Sequence, residues 1–342
     1  MYENIKNIIK TEPYDFLRTN SHLGKNIALL GLGGSYAYGT NIDTSDIDIR
    51  GIAFNSKEEI LLGKDFEQVV DVETDTTIYS LKKMVELLCN NNPNTLEILG
   101  LNSDQYVYAN NDFVSSLGDM KGAFLSKKVI RTFGGYANSQ LRRMQNKAAS
   151  KLGEAQREQH VINSINFAEQ DFKSHYARLP KDALRLYTDV SDKEDKESEI
   201  FIDVNVTHYP LRDFTGYINE FHAVVRDYDK TNSKRNKYAV AKGKLAKHMM
   251  HLVRLYYMCF DILLYHKVIT YRKNEHDLLM SIRNGDYLDE NDQPTKEFYT
   301  LVDKLENRLS ELAKITTLPD EPQYEKINRW FCSVNEKIVN NS

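Results

Sequence analysis

Two short stretches in the first fifty residues hold groups that could do chemistry together: Gly33-Gly34-Ser35 and, one spacer later, Asp46-Ile47-Asp48. On a strand, side chains at i and i+2 point the same way, with Cα atoms about 6.5–7 Å apart. Two bare carboxylates on one open face repel, and each raises the other's pKa unless a cation shares them. A divalent ion meets that need. Mg²⁺ is held by one or two carboxylates plus substrate phosphates, and two such ions about 3.5–4 Å apart serve both the attacking and the leaving oxygen of a nucleotidyl displacement. The Gly-Gly-Ser turn supplies the complement: its bare backbone admits close approach, and its N–H groups with the Ser35 hydroxyl can hold phosphate oxygens. Either motif alone is commonly a plain turn or a solvated strand edge. In succession they describe a nucleoside triphosphate site.

The elements that must position these groups are legible around them. Residues 26–32 (NIALLGL) form an apolar run that predicts a buried strand ending at the Gly-Gly-Ser turn. In SDIDIRGIAF (45–54) strict alternation puts Asp46, Asp48 and Arg50 on one face and Ile47, Ile49 and Gly51 on the other, which predicts a half-buried strand. The β-branched stretch 68–79 predicts one strand or a tight pair. Ser80 is placed to cap a helix with Leu81, Met84, Leu87 and Leu88 on one face, and Asn92-Pro93 opens a second. Past residue 112 helical periodicity takes over, with candidate helices at 126–149, 153–178, 211–229, 239–267, 274–284 and 294–315. The charged segment 189–199 predicts a loop, and IFIDVNV after it a strand or an extended connector.

The run GGSYAYGTNIDTSDIDIRGI (33–52) resembles the Gly-Ser, spacer, Asp-apolar-Asp pattern of the DNA polymerase β-like nucleotidyltransferase superfamily. Tyr38-Gly39-Thr40 and Arg50-Gly51 narrow the likeness to its RlaP or YcgL-like subfamily, nucleotidyltransferases associated with RNA repair. YSLKKMVELLCNNNPNTLEIL (79–99), KHMMHLVRL (247–255) and IRNGDYL (282–288) are similar to later parts of that subfamily. The resemblance implies that Asp46 and Asp48 hold two Mg²⁺ ions, Mn²⁺ being the alternative. It also implies a third carboxylate on a neighbouring strand. Asp75 is the choice for that metal-binding and catalytic role by its distance from the following helix; Asp71 is the runner-up, and Glu73 shares their face if 68–79 is continuous. Gly33, Gly34, Ser35, Tyr38 and Arg50 would line the nucleotide, with Ser35 on the β- and γ-phosphates. The expected fold is α+β: a small nucleotidyltransferase α/β domain with a mixed sheet over residues 1–111, then a larger, mainly helical domain over 112–342 that adds nucleotide- and acceptor-binding surface.

Composition sets outer bounds. The chain has 342 residues, 41% of them apolar, which excludes a wholly disordered chain. No apolar run is long enough for a membrane span, and the N-terminus lacks a signal-peptide stretch, so the expected location is the cytoplasm, with no membrane partner. Cys89, Cys259 and Cys332 are far apart, which argues against a disulfide framework or structural zinc.

The net charge of −4 argues against a uniformly basic nucleic-acid binder, but it hides a segregation. Residues 120–153 and 230–260 each carry eight Lys or Arg and no acid, leaving 29 basic against 49 acidic residues elsewhere. In the second stretch Lys244, Lys247, His251 and Arg254 fall on one stripe of a helix, beside a core stripe of Leu245, Met249, Leu252, Val253, Tyr256 and Phe260. Such a stripe would neutralise a triphosphate, adding ATP or another NTP to the expected ligands. In the first stretch Lys128, Arg131, Arg142 and Arg143 are candidates for an RNA acceptor, and across the two stretches Phe133, Tyr136, Tyr238, Tyr256 and Tyr257 interleave with the cations as stacking groups. Gly134-Gly135 predicts a helix break or a close neighbour. The combined expectation is a Mg²⁺-dependent transferase that moves a nucleoside monophosphate to an acceptor hydroxyl, with an RNA 3′ end as the expected acceptor. The rivals are transfer to a protein side chain or small molecule, and a non-catalytic nucleotide- or RNA-binding module.

Overall fold

The computed structural model describes residues 3–135, 137, 141, 158–165, 183–192, 198–232, 244–290 and 292–341. Two compact units divide the chain. One joins Met1–Asn138, Met250–Arg283 and Lys296–Ser342; the other joins Ser139–Met249 and Asn284–Thr295. The sheet-bearing unit therefore extends past the expected 1–111 and takes in two later helical segments.

That unit is built on a five-stranded mixed sheet in the order β3-β4-β2-β1-β5. The strands are β1 (Ile27–Leu32), β2 (Ile49–Ala53), β3 (Gln68–Asp71), β4 (Thr76–Ser80) and β5 (Tyr106–Ala109). Every residue of β1 is buried, as its unbroken apolar run requires of a strand covered on both faces. β2 pairs antiparallel with β1 and parallel with β4. The stretch 68–79 is the tight pair, β3 and β4 joined by a turn, so Asp71, Glu73 and Asp75 do not lie along one continuous strand. β2 is shorter than its alternation predicts: it begins at Ile49, and Asp46 and Asp48 precede it outside the ladder.

Helix Leu81–Cys89 starts at Ser80, whose hydroxyl accepts from Lys83 N, and helix Pro93–Gly100 starts at Asn92, whose side chain accepts from Asn94 N. Both caps are as the sequence predicts. Two of the longer helices fall outside the predicted set, Asn111–Phe124 and Tyr324–Asn341. Gly118, Gly122 and two serines dilute the periodicity of the first. In the second the core-facing groups are few, with Ile327 fully buried and Trp330 packed against Phe113 and Phe124.

In the other unit, β6 (Leu184–Val190) and β7 (Ser198–Val204) form an antiparallel pair. The predicted loop 189–199 is thus corrected at both ends, which continue the strands, and IFIDVNV contributes to β7. A small core of Val161, Ile165, Tyr217, Phe221 and Val224 takes Leu184, Leu186 and Ile200 from the pair. The unit boundary falls inside helix Lys244–Tyr265. Cys89, Cys259 and Cys332 are all free thiols. Among the described residues no helix is long and apolar enough to cross a membrane.

Candidate active site

Strand register brings the chemical groups together at one end of the sheet. Leu32, the last residue of β1, pairs with Ile49, the first of β2, so Gly33 lies beside Asp48. Gly33 N–H donates to the Asp48 carbonyl at 2.8 Å. Ile49 in turn pairs with Thr76 in parallel register, so Asp48 and Asp75 each stand one residue before neighbouring strands. Three chain segments distant in sequence therefore converge.

Helix Gly34–Tyr38 begins at this point. Gly34 has φ +53°, and a Cβ on it would collide with the Asp48 carboxylate. No other residue fits there. At Gly33 a Cβ would lie 3.0 Å from Arg50 Cγ, 3.2 Å from Glu97 Oε1 and 3.4 Å from Asp48 Cβ, so the turn is hemmed in by all three side chains. Ser35 is buried at the first turn, and its carbonyl accepts from Gly39 N and Thr40 N.

Arg50 sits between the two carboxylates. Its Nη1 donates to the Asp75 carbonyl at 2.8 Å, its Nη2 lies 3.4 Å from Asp75 Oδ1, and Nη2 is 4.0 Å from Asp48 Oδ1. Asp48 is the perturbed acid. Burial, then the hydrogen bond and negative charge of Asp75, push its carboxyl up to about 7, with Arg50 pulling only part of the way back. Asp75 holds a left-handed backbone, φ +45°, at the end of the hairpin turn. Asp71 serves that turn: its Oδ1 accepts from Thr74 N at 2.9 Å and Thr74 Oγ1 at 2.8 Å. Glu73 is exposed in the turn. Asp46 is exposed and makes no hydrogen bond or ion pair with the described residues.

Among the described residues no three carboxylate, histidine or cysteine side chains close into a metal cage. The Asp48–Asp75 pair nevertheless has the chemistry of a cation site. Burial first, and then the neighbouring Asp75 carboxylate, raise Asp48 despite Arg50, and a divalent ion would offset both.

Behind the turn lies a second layer of charge. Glu97, on helix Pro93–Gly100, is buried, and burial pushes its carboxyl above the usual range. Arg254, Arg50, the Tyr38 hydroxyl and the Gly34 N–H pull the other way. Arg254 is also buried: its guanidinium stacks 3.5 Å from the centroid of the Tyr38 ring, and Nη2 meets His251 Nδ1 at 2.8 Å. Tyr38 completes the layer with its hydroxyl 3.3 Å from Met258 Sδ. The predicted cationic stripe thus changes character along its length. Arg254 is interior and His251 half-buried, whereas Lys247 is exposed and belongs, with Lys244, to the other unit.

A clasp holds the loop between the two motifs. Arg283 Nη1 donates to the Thr40 carbonyl at 2.7 Å and Nη2 to Ser45 Oγ at 3.0 Å. Arg272 N donates to the Tyr38 carbonyl, and its side chain pairs with Asp261 at 2.6 Å. Tyr271 packs over Gly39, where a Cβ would meet its ring.

The first basic stretch is placed differently. Lys127 pairs with Asp320 at 2.9 Å, and Lys128 pairs with Glu321 at 2.6 Å and donates to the Tyr324 hydroxyl at 2.7 Å. Arg131 acts on Glu321 as well, helping to hold its carboxyl below the usual range behind Lys128 and Tyr324. The stretch is acid-free in sequence and not in space. The expected stacking groups Phe133 and Tyr256 are buried core, and Gly134 and Gly135 are both helical, with nothing nearer to an added Cβ than Leu309 Cδ2 at 4.0 Å. Arg142, Arg143, Tyr136 and Tyr238 lie outside the described residues.

A family model described as RlaP, RNA repair pathway DNA polymerase beta family, matches residues 5–333. The chain belongs to that family. Its class is therefore that of the polymerase β-like nucleotidyltransferases linked to RNA repair. No match was found among curated proteins or among solved structures. The register by itself brings Gly33, Asp48 and Asp75 together where β1 ends and β2 and β4 begin. The support, Glu97, Arg272 and Arg283, lies outside the residues whose types and spacing pointed to the chemistry. Glu97 carried a signal, a lone carboxylate between Leu96 and Ile98 in an apolar run, and such a group needs a buried partner.

Proposed function

We propose that this chain transfers a nucleoside monophosphate from an NTP, ATP among them, to an acceptor hydroxyl with release of pyrophosphate, and that an RNA 3′ end is the acceptor. The observation that carries this reading is the convergence of Gly33-Gly34, Asp48, Arg50 and Asp75 at one sheet end. Asp48 and Asp75, with Asp46 joining from the segment before β2, would hold Mg²⁺ or Mn²⁺. Such ions would neutralise charge on the attacking and leaving oxygens. The acceptor oxygen forms its bond to the α-phosphorus as the bond to the β-phosphate oxygen breaks, and the acceptor proton passes to Asp75, the more exposed of the pair. Arg50, already between the two carboxylates, would meet the charge growing on the departing pyrophosphate. The Ser35 N–H and hydroxyl would supply donors to the phosphates.

One observation favours a second reading, in which the acceptor is a protein side chain or a small molecule. Lys128, offered by the sequence as an RNA contact, is already answered by Glu321. Incubation with α-labelled NTPs, Mg²⁺ and either total RNA or total protein separates the two, with Asp46→Ala/Asp48→Ala as control. Label in RNA alone, weakening steeply with added salt, supports the first reading. Label in protein alone supports the second. Label in neither fraction and in no small-molecule product, or label that survives the double substitution, refutes transfer by this site.

A further inference from the structure

Glu97 takes no part in the chemistry just described, yet the parts of the site closest to the phosphates all face it. A Cβ on Gly33 would lie 3.2 Å from Glu97 Oε1, so the carboxylate abuts the glycine turn itself. The Gly34 N–H and the Tyr38 hydroxyl, at the two ends of helix Gly34–Tyr38, both favour its charged form. Arg254 and Arg50 do the same from the helix behind and from β2. A carboxylate is costly to bury unless cations and donors surround it. Here they do, and each is a group that the site also needs.

We propose that Glu97 is the positioning residue of the nucleotide site: its buried carboxylate ties Gly34, Tyr38, Arg254 and Arg50 into one arrangement before any nucleotide arrives. The inference rests on the proposed function for its purpose, though not for its geometry. It reassigns two groups. Gly34 N–H is occupied by Glu97 in the free chain, and Arg254, stacked on Tyr38 with about one-twentieth of its surface exposed, acts through Glu97 and Tyr38 and not on the phosphates. Arg50, reached from both sides by Glu97 and by the Asp48–Asp75 pair, is left as the cation that the arrangement aims at the triphosphate.

The test uses Glu97→Gln, which keeps the shape and removes the charge, and Glu97→Asp, which keeps the charge on a shorter stem. Hydrogen exchange on the free full-length chain reads the arrangement without any activity. Residues 33–39 are expected to exchange about tenfold faster in Glu97→Gln than in the parent, while β1 and β2 keep their protection. Unchanged protection at 33–39 overturns the proposal, whatever the chain's activity proves to be. With α-labelled ATP and Mg²⁺, KM is expected to rise about tenfold in Glu97→Gln with a smaller change in kcat, and Glu97→Asp to recover part of the loss. A fall in the folded fraction with KM unchanged, or an Asp variant no better than the Gln variant, would mean that Glu97 only fills space. A parent chain that transfers no label refutes the proposed function and leaves the exchange result to decide on Glu97.

Discussion

Arg254 and Lys128 come from the two acid-free stretches of the sequence, and the fold treats them in opposite ways. Arg254 is carried inward by helix Lys244–Tyr265, onto the Tyr38 ring and toward the buried Glu97. Lys128 stays at the surface and is met by Glu321, with Lys127 met by Asp320 beside it. Both cations acquire an anion from far along the chain, so the absence of local acids measured neither exposure nor availability to phosphate. The difference lies in what surrounds the pair. An interior pair is held by burial on every side, and losing one member strands the other; a surface pair is screened by water and costs little to lose.

The comparison is broken most severely at Arg254. Arg254→Met keeps the length and packing of the stem while leaving the Glu97 carboxylate buried without its main counter-charge, and breaking one half of such a pair typically costs about 3–5 kcal/mol. The thermal midpoint by calorimetry should fall sharply and nucleotide transfer should be lost. Adding Glu97→Gln to Arg254→Met should restore part of the midpoint, because neither charge then stands alone. A double variant no more stable than the single would mean that the two residues are not energetically coupled.

Much of this architecture is legible in the sequence because local rules decide it. The all-apolar run before Gly33 has to be a buried strand, and Ser80 and Asn92 cap the helices that their positions announce. The Gly-Gly and Asp-x-Asp motifs point to their own chemistry. Long-range pairing is what the sequence withholds. Whether 68–79 was one strand or two depended on the Asp71–Thr74 turn, and with it the direction of Asp71, Glu73 and Asp75. The start of β2 at Ile49 is set by its partners Leu32 and Thr76, not by the alternation that extends back to Ser45. Arg283 gains meaning only once Thr40, 243 positions away, arrives beside it, and Glu97 only once Arg254 does.

Arg283 tests an intermediate case, a half-buried cation whose donors go to neutral oxygens, the Thr40 carbonyl and Ser45 Oγ. Burial draws its pKa down. Arg283→Met should loosen the loop that delivers Asp46 and Asp48 and lower kcat about tenfold to a hundredfold, since displacements of an ångström in a reacting site have effects of that size. Ser45→Ala removes one acceptor and should do the same more weakly. If the two losses simply add in the double variant, the clasp is not acting through the shared loop.

The anionic side of the comparison responds to pH. Asp48 stands at about 7 in the folded chain against 3.8 ordinarily, so between those values the folded state binds more protons than the unfolded one. Its contribution to stability is therefore fully present below about pH 4 and is lost as pH rises through 7. In chelator the parent's unfolding midpoint should fall more steeply over that window than that of Asp48→Asn. Mg²⁺ added near pH 7.5 should raise the midpoint of the parent and leave Asp48→Asn unmoved. Equal slopes in the two proteins would show that Asp48 is not the group held protonated.

Lys128→Ala should have the smallest effect and sharpens the comparison from its other end. Its partner Glu321 is at the surface, where ion pairs are screened and the ordering of long side chains offsets most of the attraction. The midpoint should shift by no more than about 2–4 °C, less in high salt. Removal of Lys128 also frees Glu321, so a surface that binds RNA through this helix would suffer twice, losing a cation and gaining an uncompensated acid. RNA retention should then fall well beyond what one phosphate contact explains, with a shallower salt slope. Retention equal to that of the parent would place the acceptor surface elsewhere and leave Lys128 with the surface role that its pairing already describes.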